Sequence, residues 1–423
     1  MNDTMKAAYS RILKKELVAA MGCTEPIAVA LCVAKATEKL GHEPEQIKVN
    51  VSKNIYKNAM GVGIPNTGMT GLPIAIALGA TIGKSAYQLE VLRDAKTEDI
   101  HYAKEYLART PIHIDIEEQN KSILYIHAEV RFAQQTAMAT IQDEHTHFIE
   151  EDCKAAMPID MDDTKQPTLT LRQVYDFATS VDTEQLLFLL QGAQMNIAAA
   201  ERSFSTHYGH GLGKLLQQPK DHLERLYGNT LLTKIISYTC GACDARMAGA
   251  MVPVMSNSGS GNQGIACSIP VYLYAQENHS AQQDLLRALA ISNVTVIYMK
   301  QSLGRLSALC GCVVAATGSA AGITYLMGGQ YTEITYAIKN MIANISGMIC
   351  DGAKPGCSLK VTSGVMTAVL SATLAMQHRV ATPNEGIVEE DIDRTINNLT
   401  RIGRDGMNET DNLIIDIMTH KKI

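Results

Sequence analysis

The sequence predicts an α+β protein, with a mainly helical catalytic domain and an inserted α+β domain built on an antiparallel sheet. Three observations predict it. Apolar residues recur at helical spacing from Leu169 almost to the C-terminus, four short segments between 47 and 150 alternate apolar and polar side chains, and three long windows carry no charge. At about 150 residues per domain, the 423 residues make two to three domains and bury an ample core.

Residues 4–38 read as two helices broken at Met21-Gly22-Cys23-Thr24-Glu25-Pro26, with Pro26 opening the second helix and Thr24 or Glu25 capping it. From about 45 the period changes to two. Segments 47–51, 112–116, 124–131 and 137–150 are expected as half-exposed antiparallel strands, with helical stretches around 70–107 between the first two. The polar, charged stretch from 150 to 167 suits a linker. Beyond it, 171–179, 183–200, 219–238, 280–300, 332–348, 362–377 and 389–401 suit helices. Both N-terminal helices are expected to pack on that bundle. Residues 1–41 plus 168–423 then form one discontinuous domain, and 42–167 are the insertion with its linker.

The charge-free windows are 60–83, 247–276 and 306–332. Each exceeds the ~20 residues that cross a bilayer. Their Gly, Ala, Ser and Thr content, with Pro253, Asn257, Asn262 and Gln263 inside, is wrong for a lipid-facing helix. Buried helices in close approach, and loops offering backbone N–H groups to a ligand, are expected instead. A net charge of −6 without a basic block, 5% aromatics and no Trp argue against a nucleic-acid binder. The amphipathic, charged first twenty residues do not read as a secretory signal, so a cytoplasmic enzyme is expected.

Ten cysteines in such a compartment are free thiols or metal ligands rather than a disulfide framework. Cys32, on an apolar helix face, and Cys153, in the linker, read as small apolar side chains. The others neighbour glycines or turns: Cys240-Gly241-Ala242-Cys243, Cys310-Gly311-Cys312, and Cys350 and Cys357 around Asp351-Gly352-Ala353-Lys354-Pro355-Gly356. Such neighbours free the backbone to aim sulfurs at a shared point. On spacing alone, a structural zinc site built on Cys240 and Cys243, an iron–sulfur cluster and free thiols all stay open. His207 and His210 read as an exposed polar turn.

Four motifs in order, MGCTEP (21–26), SNSGSGNQGI (256–265), CGC (310–312) and ICDGAKPGC (349–357), go further. Over nearly its whole length the chain resembles the L-cysteine desulfidase family and its YhaM-like relatives, which in turn look like the α-chain of bacterial iron–sulfur L-serine dehydratases. The resemblance implies a [4Fe-4S] cluster held by three cysteines, with one iron open to substrate. The matching positions are Cys310, Cys350 and Cys357; Cys312 departs from the pattern and competes with Cys310. Cys23 is implied as the catalytic base or a resting-state fourth ligand, while Cys240, Cys243 and Cys267 are not ligands. The implied reaction is α,β-elimination of L-cysteine to hydrogen sulfide, pyruvate and ammonia.

That chemistry needs a Lewis acid for the departing thiolate and a base for the Cα proton. A thiol with a pKa of about 8.5 is mostly protonated at neutral pH, so Cys23 is expected to be lowered by the positive end of the helix after it. For the substrate carboxylate, Ser256, Asn257, Ser258, Gly259, Ser260, Gly261, Asn262 and Gln263 are expected to form an anion cradle. The glycine-rich 316–322 is expected to serve close helix packing, and Lys57-Asn58 with 61–65 to bring the inserted domain over the site. An L-serine dehydratase using the same cluster and a non-catalytic cysteine- or metal-binding member are the alternatives. No pyridoxal phosphate is expected, because no Schiff-base lysine in a phosphate-binding setting is recognisable. The expected partners are a small amino acid and a second copy of the chain, without nucleic acid or membrane.

Overall fold

The computed structural model describes residues 1–120, 122–149, 169–304 and 306–421. Most of the expected linker, with Cys153, lies outside them. Helix α1 (Asp3–Glu16) is capped by Asn2, whose side chain accepts from the Met5 N–H, and it buries Tyr9, Ile12 and Leu13 against the helical bundle. After the short strand β1 (Ala19–Met21) comes α2 (Thr24–Leu40). Its N-cap is Cys23 rather than Thr24 or Glu25, and Pro26 sits in the first turn, where a missing N–H breaks no helical bond.

The next elements are β2 (Gln46–Val51), α3 (Lys53–Ala59), α4 (Leu72–Thr81), α5 (Thr97–Arg109), β3 (Ile112–Ile116), β4 (Tyr125–Phe132), β5 (Gln135–Gln142) and β6 (Phe148–Ile149). The sheet order is β3-β2-β4-β5-β6. Its pairs are antiparallel except β2–β3, which is parallel. The expected antiparallel sheet is present, with one parallel pair added at its edge. Helices α3 to α5 carry the chain across the sheet between β2 and β3, and such a crossover returns parallel. The described part of segment 137–150, to Ile149, holds two strands, parted by a turn in which Asp143 takes φ 66°.

Alternation puts Ile47, Val49, Val51, Ile126, Ala128, Val130 and Ile141 on one buried face. Helix α2 covers that face, with α4 on its other side, and both join the apolar interior of the sheet. This differs from the expected packing on the bundle. A helix buried from Thr24 through Ala34 has no polar face to leave in water, so it becomes the middle layer. A Cβ at Gly79 would stand 2.5 Å from the Ala30 carbonyl oxygen, which shows how closely α2 and α4 cross.

The bundle comprises α6 (Leu171–Ser180), α7 (Leu187–Ser205), α8 (Leu212–Gln217), α9 (His222–Leu226), α10 (Leu231–Met247), strand β7 (Pro253–Met255), α11 (Gly261–Glu277), α12 (Gln282–Leu303), α13 (Gly311–Leu326), α14 (Tyr331–Ile345), α15 (Cys357–Met376), α16 (Ile392–Arg401) and α17 (Asn408–His420). Helix α13 is its axis, buried from Cys312 to Thr324 and surrounded by α11, α12, α14 and α15. The glycines of 316–322 serve that packing: a Cβ at Gly318 would stand 2.5 Å from the Ser292 carbonyl oxygen of α12. Among the described helices α15 alone has the length and composition to cross a membrane; it packs on α10, α13 and α14.

Helix α11 meets β7 more tightly still. A Cβ at Gly264 would fall 1.9 Å from the Met255 carbonyl oxygen. Gly264→Ala is therefore expected to cost about 3 kcal/mol of stability by overpacking, read as a lowered midpoint in denaturant unfolding. An unchanged midpoint would show that the β7–α11 crossing is loose.

Candidate active site

Four helices begin at one cleft. Cys23 is the N-cap of α2, Ser260 of α11 and Cys310 of α13, while Cys357 opens α15. All four line one cavity. Four helix N-termini bring partial positive charge and uncommitted N–H groups to the same space, a setting that favours thiolates and other anions.

Two backbone clasps set this geometry. Strand β1 pairs antiparallel with β7, and the ribbon continues through Ser256 N–H to the Val18 carbonyl and Ser258 N–H to the Glu16 carbonyl. Cys23 is thereby held opposite residues 258–263, with Thr24 Oγ1 donating to the Gly259 carbonyl at 3.2 Å. The second clasp joins Leu309 to Ile349: Cys310 N–H donates to the Met348 carbonyl at 2.9 Å and Cys350 N–H to the Ala308 carbonyl at 2.7 Å. From Cys350 the chain turns through Gly352, at φ 92°, to reach Cys357. A Cβ on Gly352 would stand 2.3 Å from the Lys57 carbonyl oxygen, so α3 of the sheet unit is wedged behind this turn. The buried Lys57 ammonium pairs with Asp411 of α17, and Asn58 lines the cleft.

Cys310, Cys312, Cys350 and Cys357 all face the cavity. The Sγ atoms of Cys310 and Cys312 lie 3.3 Å apart and share one hydrogen bond. The Lys360 ammonium favours negative charge on Cys310. The bond with Cys312 pulls the Cys310 thiol down to about 7, and sharing with Cys310 pushes Cys312 well up. Cys312 also turns towards Met348 Sδ, at 3.0 Å, and the Lys360 carbonyl, at 3.4 Å. Burial raises Cys350 and pushes Cys357 up to about 11. Burial alone would raise the Asp351 carboxyl too, yet Lys354 and Lys360 hold it down at about 2. In metal-free protein, iodoacetamide is expected to label Cys310 with an inflection near pH 7 and Cys357 only as pH approaches 11, because the thiolate is the nucleophile. Mass spectrometry of the labelled peptides checks the order.

Cys23 differs from expectation. Its Sγ donates to Glu25 Oε2 at 3.2 Å, and Glu25 Oε1 accepts from Asn58 Nδ2 at 3.1 Å. Burial first, then the Glu25 carboxylate, raise this thiol well above its ordinary value. The Arg246 charge pulls the other way and is outweighed, as is the helix terminus.

Of the expected cradle, Ser258, Gly259, Ser260, Asn262 and Gln263 line the cleft. Ser256 and Asn257 do not. They anchor the loop from behind: Ser256 Oγ donates to the Val18 carbonyl at 2.6 Å, and Asn257 Nδ2 to Asn293 Oδ1 at 3.0 Å. Gly261 packs under the Arg246 guanidinium. Cys240 and Cys243 are buried within α10, away from the cleft lining, and burial pushes Cys240 up to about 12. Among the described residues no three His, Cys, Asp or Glu side chains group tightly enough for a single metal ion, so the zinc alternative is not assembled there. Cys310, Cys350 and Cys357 line one cavity, and iron–sulfur clusters are held by cysteine thiolates, so these residues fit a cluster by chemistry. His207 and His210 are exposed, Cys267 is buried, and Cys32 Sγ is buried against the Ala139 carbonyl.

The lining residues that sequence reasoning missed are Glu25, His145, Arg246, Lys300 and Lys360. Arg246 had one signal, since it stands immediately before the charge-free window that starts at Met247. Glu25 sits within the first motif but read only as a cap.

A family profile described as serine dehydratase alpha chain matches residues 86–416, which hold the 256–265 motif and Cys310, Cys350 and Cys357 but not Cys23. The chain is also similar to a UPF0597 protein of Phocaeicola vulgatus, 57% identical over 418 residues covering 97% of each chain. A UPF0597 protein of Bacteroides fragilis is 54% identical over 428 residues, the whole of both. One from Oleidesulfovibrio alaskensis is 42% identical over 422 residues, 98% of each.

Proposed function

The chain belongs to the serine dehydratase α-chain family, and on that footing we propose that it is an iron–sulfur lyase acting on a small L-amino acid, with L-cysteine converted to hydrogen sulfide, pyruvate and ammonia. The observation that carries the reading is the convergence of Cys23, Cys310 and Cys357, at three helix N-termini, with Cys350 from the neighbouring turn around one cavity. Cys310, Cys350 and Cys357 would hold a [4Fe-4S] cluster, which would supply a Lewis acid for the negative charge of the leaving group. Cys310 is the preferred ligand over Cys312, whose sulfur is engaged by Met348 and the Lys360 carbonyl.

The chain's own groups do the rest. Ser258, Ser260 and the first N–H groups of α11 hold the substrate in the cleft that the cysteines line. Cys23 Sγ passes its proton to Glu25 Oε2 along their existing hydrogen bond, and the thiolate so formed takes the Cα proton. The proton on Glu25 is then available to the departing sulfur, which leaves as hydrogen sulfide. Asn58 keeps Glu25 in place for both transfers. The aminoacrylate product tautomerises and hydrolyses in water to pyruvate and ammonia.

L-Serine is the second reading, favoured by the description of the matching family. Pyruvate release from L-cysteine and from L-serine, measured side by side on anaerobically reconstituted protein, separates the two. Sulfide with pyruvate from L-cysteine at the higher kcat/KM supports the desulfidase. Turnover of serine alone moves the chain to the dehydratases.

A further inference from the structure

We propose that Arg246 binds the α-carboxylate of the substrate, with Gln263 accepting from the α-ammonium group, so that the cleft selects α-amino acids with both charges free. The inference rests on the lyase reading and deepens it.

Arg246 is 3% exposed, in the last turn of α10. Its Nη1 donates to Asn262 Oδ1 at 3.1 Å, while its buried Nε has no partner. Among the described residues no carboxylate pairs with it. A buried guanidinium with no carboxylate at ion-pair distance is costly, because the charge of Glu25 across the cavity offsets its desolvation only in part. Its surroundings deepen that cost. A Cβ at Gly261 would stand 2.3 Å from Arg246 Nε and 2.8 Å from Cζ, so the cation rests on the first residue of the 17-residue helix α11, at that helix's positive end. Two positive features that face one cavity repel each other until an anion enters.

The second observation is Gln263. It is 3% exposed, lines the same cavity, and its Oε1 is buried without a partner. An unmatched acceptor beside an unmatched cation suits a zwitterion: carboxylate to Arg246, ammonium N–H to Gln263 Oε1. Gln263 also lies on Gly311, between Cys310 and Cys312; a Cβ there would stand 3.2 Å from Gln263 Cδ. The side chain of a substrate held this way is next to the cysteines. Arg fits a carboxylate through paired N–H donors in a way Lys does not.

L-Alanine has both charges and no leaving group, so it reports binding without turnover; L-alaninamide lacks the carboxylate. Calorimetric titration of both into the full chain, wild type and Arg246→Gln, tests the assignment. The wild type is expected to bind L-alanine and to disfavour the amide. Arg246→Gln is expected to weaken L-alanine roughly 100-fold, the scale of a lost charged hydrogen bond, with the amide unchanged. Arg246→Lys, which keeps the charge, is expected to recover part of the affinity and guards against a folding defect. Equal weakening of both ligands, or unaltered L-alanine binding in Arg246→Gln, would overturn the assignment and leave the lyase reading intact. A wild type that binds neither ligand would overturn both.

Discussion

Cys350→Ala and Cys357→Ala are each expected to abolish iron uptake and reduce elimination to background in anaerobically reconstituted protein. The two residues bracket a turn that Gly352 makes tight and that α3 backs from behind, and both line the cavity. Cys240 and Cys243, on α10, do not line that cavity. Cys312→Ala is the contrast: its sulfur is turned to Met348, so it is expected to retain the iron–sulfur absorbance. Full iron content in Cys350→Ala would remove this residue from the ligand set.

Cys23→Ala is expected to lower kcat about 10²–10⁴-fold, the range for a lost general base, while the iron–sulfur absorbance stays. The thiol begins protonated, held so by burial and by Glu25, and it works only through the carboxylate 3.2 Å away. Glu25→Gln, which keeps the shape and removes the proton acceptor, is expected to produce a loss of the same order. Loss of iron in Cys23→Ala would instead make Cys23 a ligand, and an unchanged kcat would deny it any role.

Strands β2 and β4 were legible because each has one buried face, and a period of two records that directly in residues such as Ile47, Val49 and Val51. The parallel β2–β3 pairing was written in the helices between them, a crossover signal that strand alternation does not carry. Helices α11 and α13 lacked a boundary in the pattern because they are apolar on every side, so their windows announced burial without announcing period. The same lack of a polar stripe hid the place of α2.

In the site, the cysteines were legible through their glycines, which mark backbone that must turn sharply. The cradle was half legible. Composition marked 256–264 as a loop of donors, but it could not tell Ser258 and Ser260, which face the cleft, from Ser256 and Asn257, which hold the loop to Val18 and Asn293. Glu25, Arg246 and Lys360 were invisible as a group, since single charges on three different helices acquire meaning only when the fold brings those helix ends together. The direction of the Cys23 shift was misjudged for a related reason: a helix terminus is read from sequence, whereas burial and a facing carboxylate belong to the tertiary structure.

The most direct measurement is sulfide released from L-cysteine against iron bound, with the full chain reconstituted anaerobically to graded iron content and L-serine run in parallel. Turnover is expected to rise in proportion to iron, levelling at about four irons per chain. Equal turnover without iron, or about four irons per chain with neither substrate consumed, would contradict an iron–sulfur lyase at this cleft.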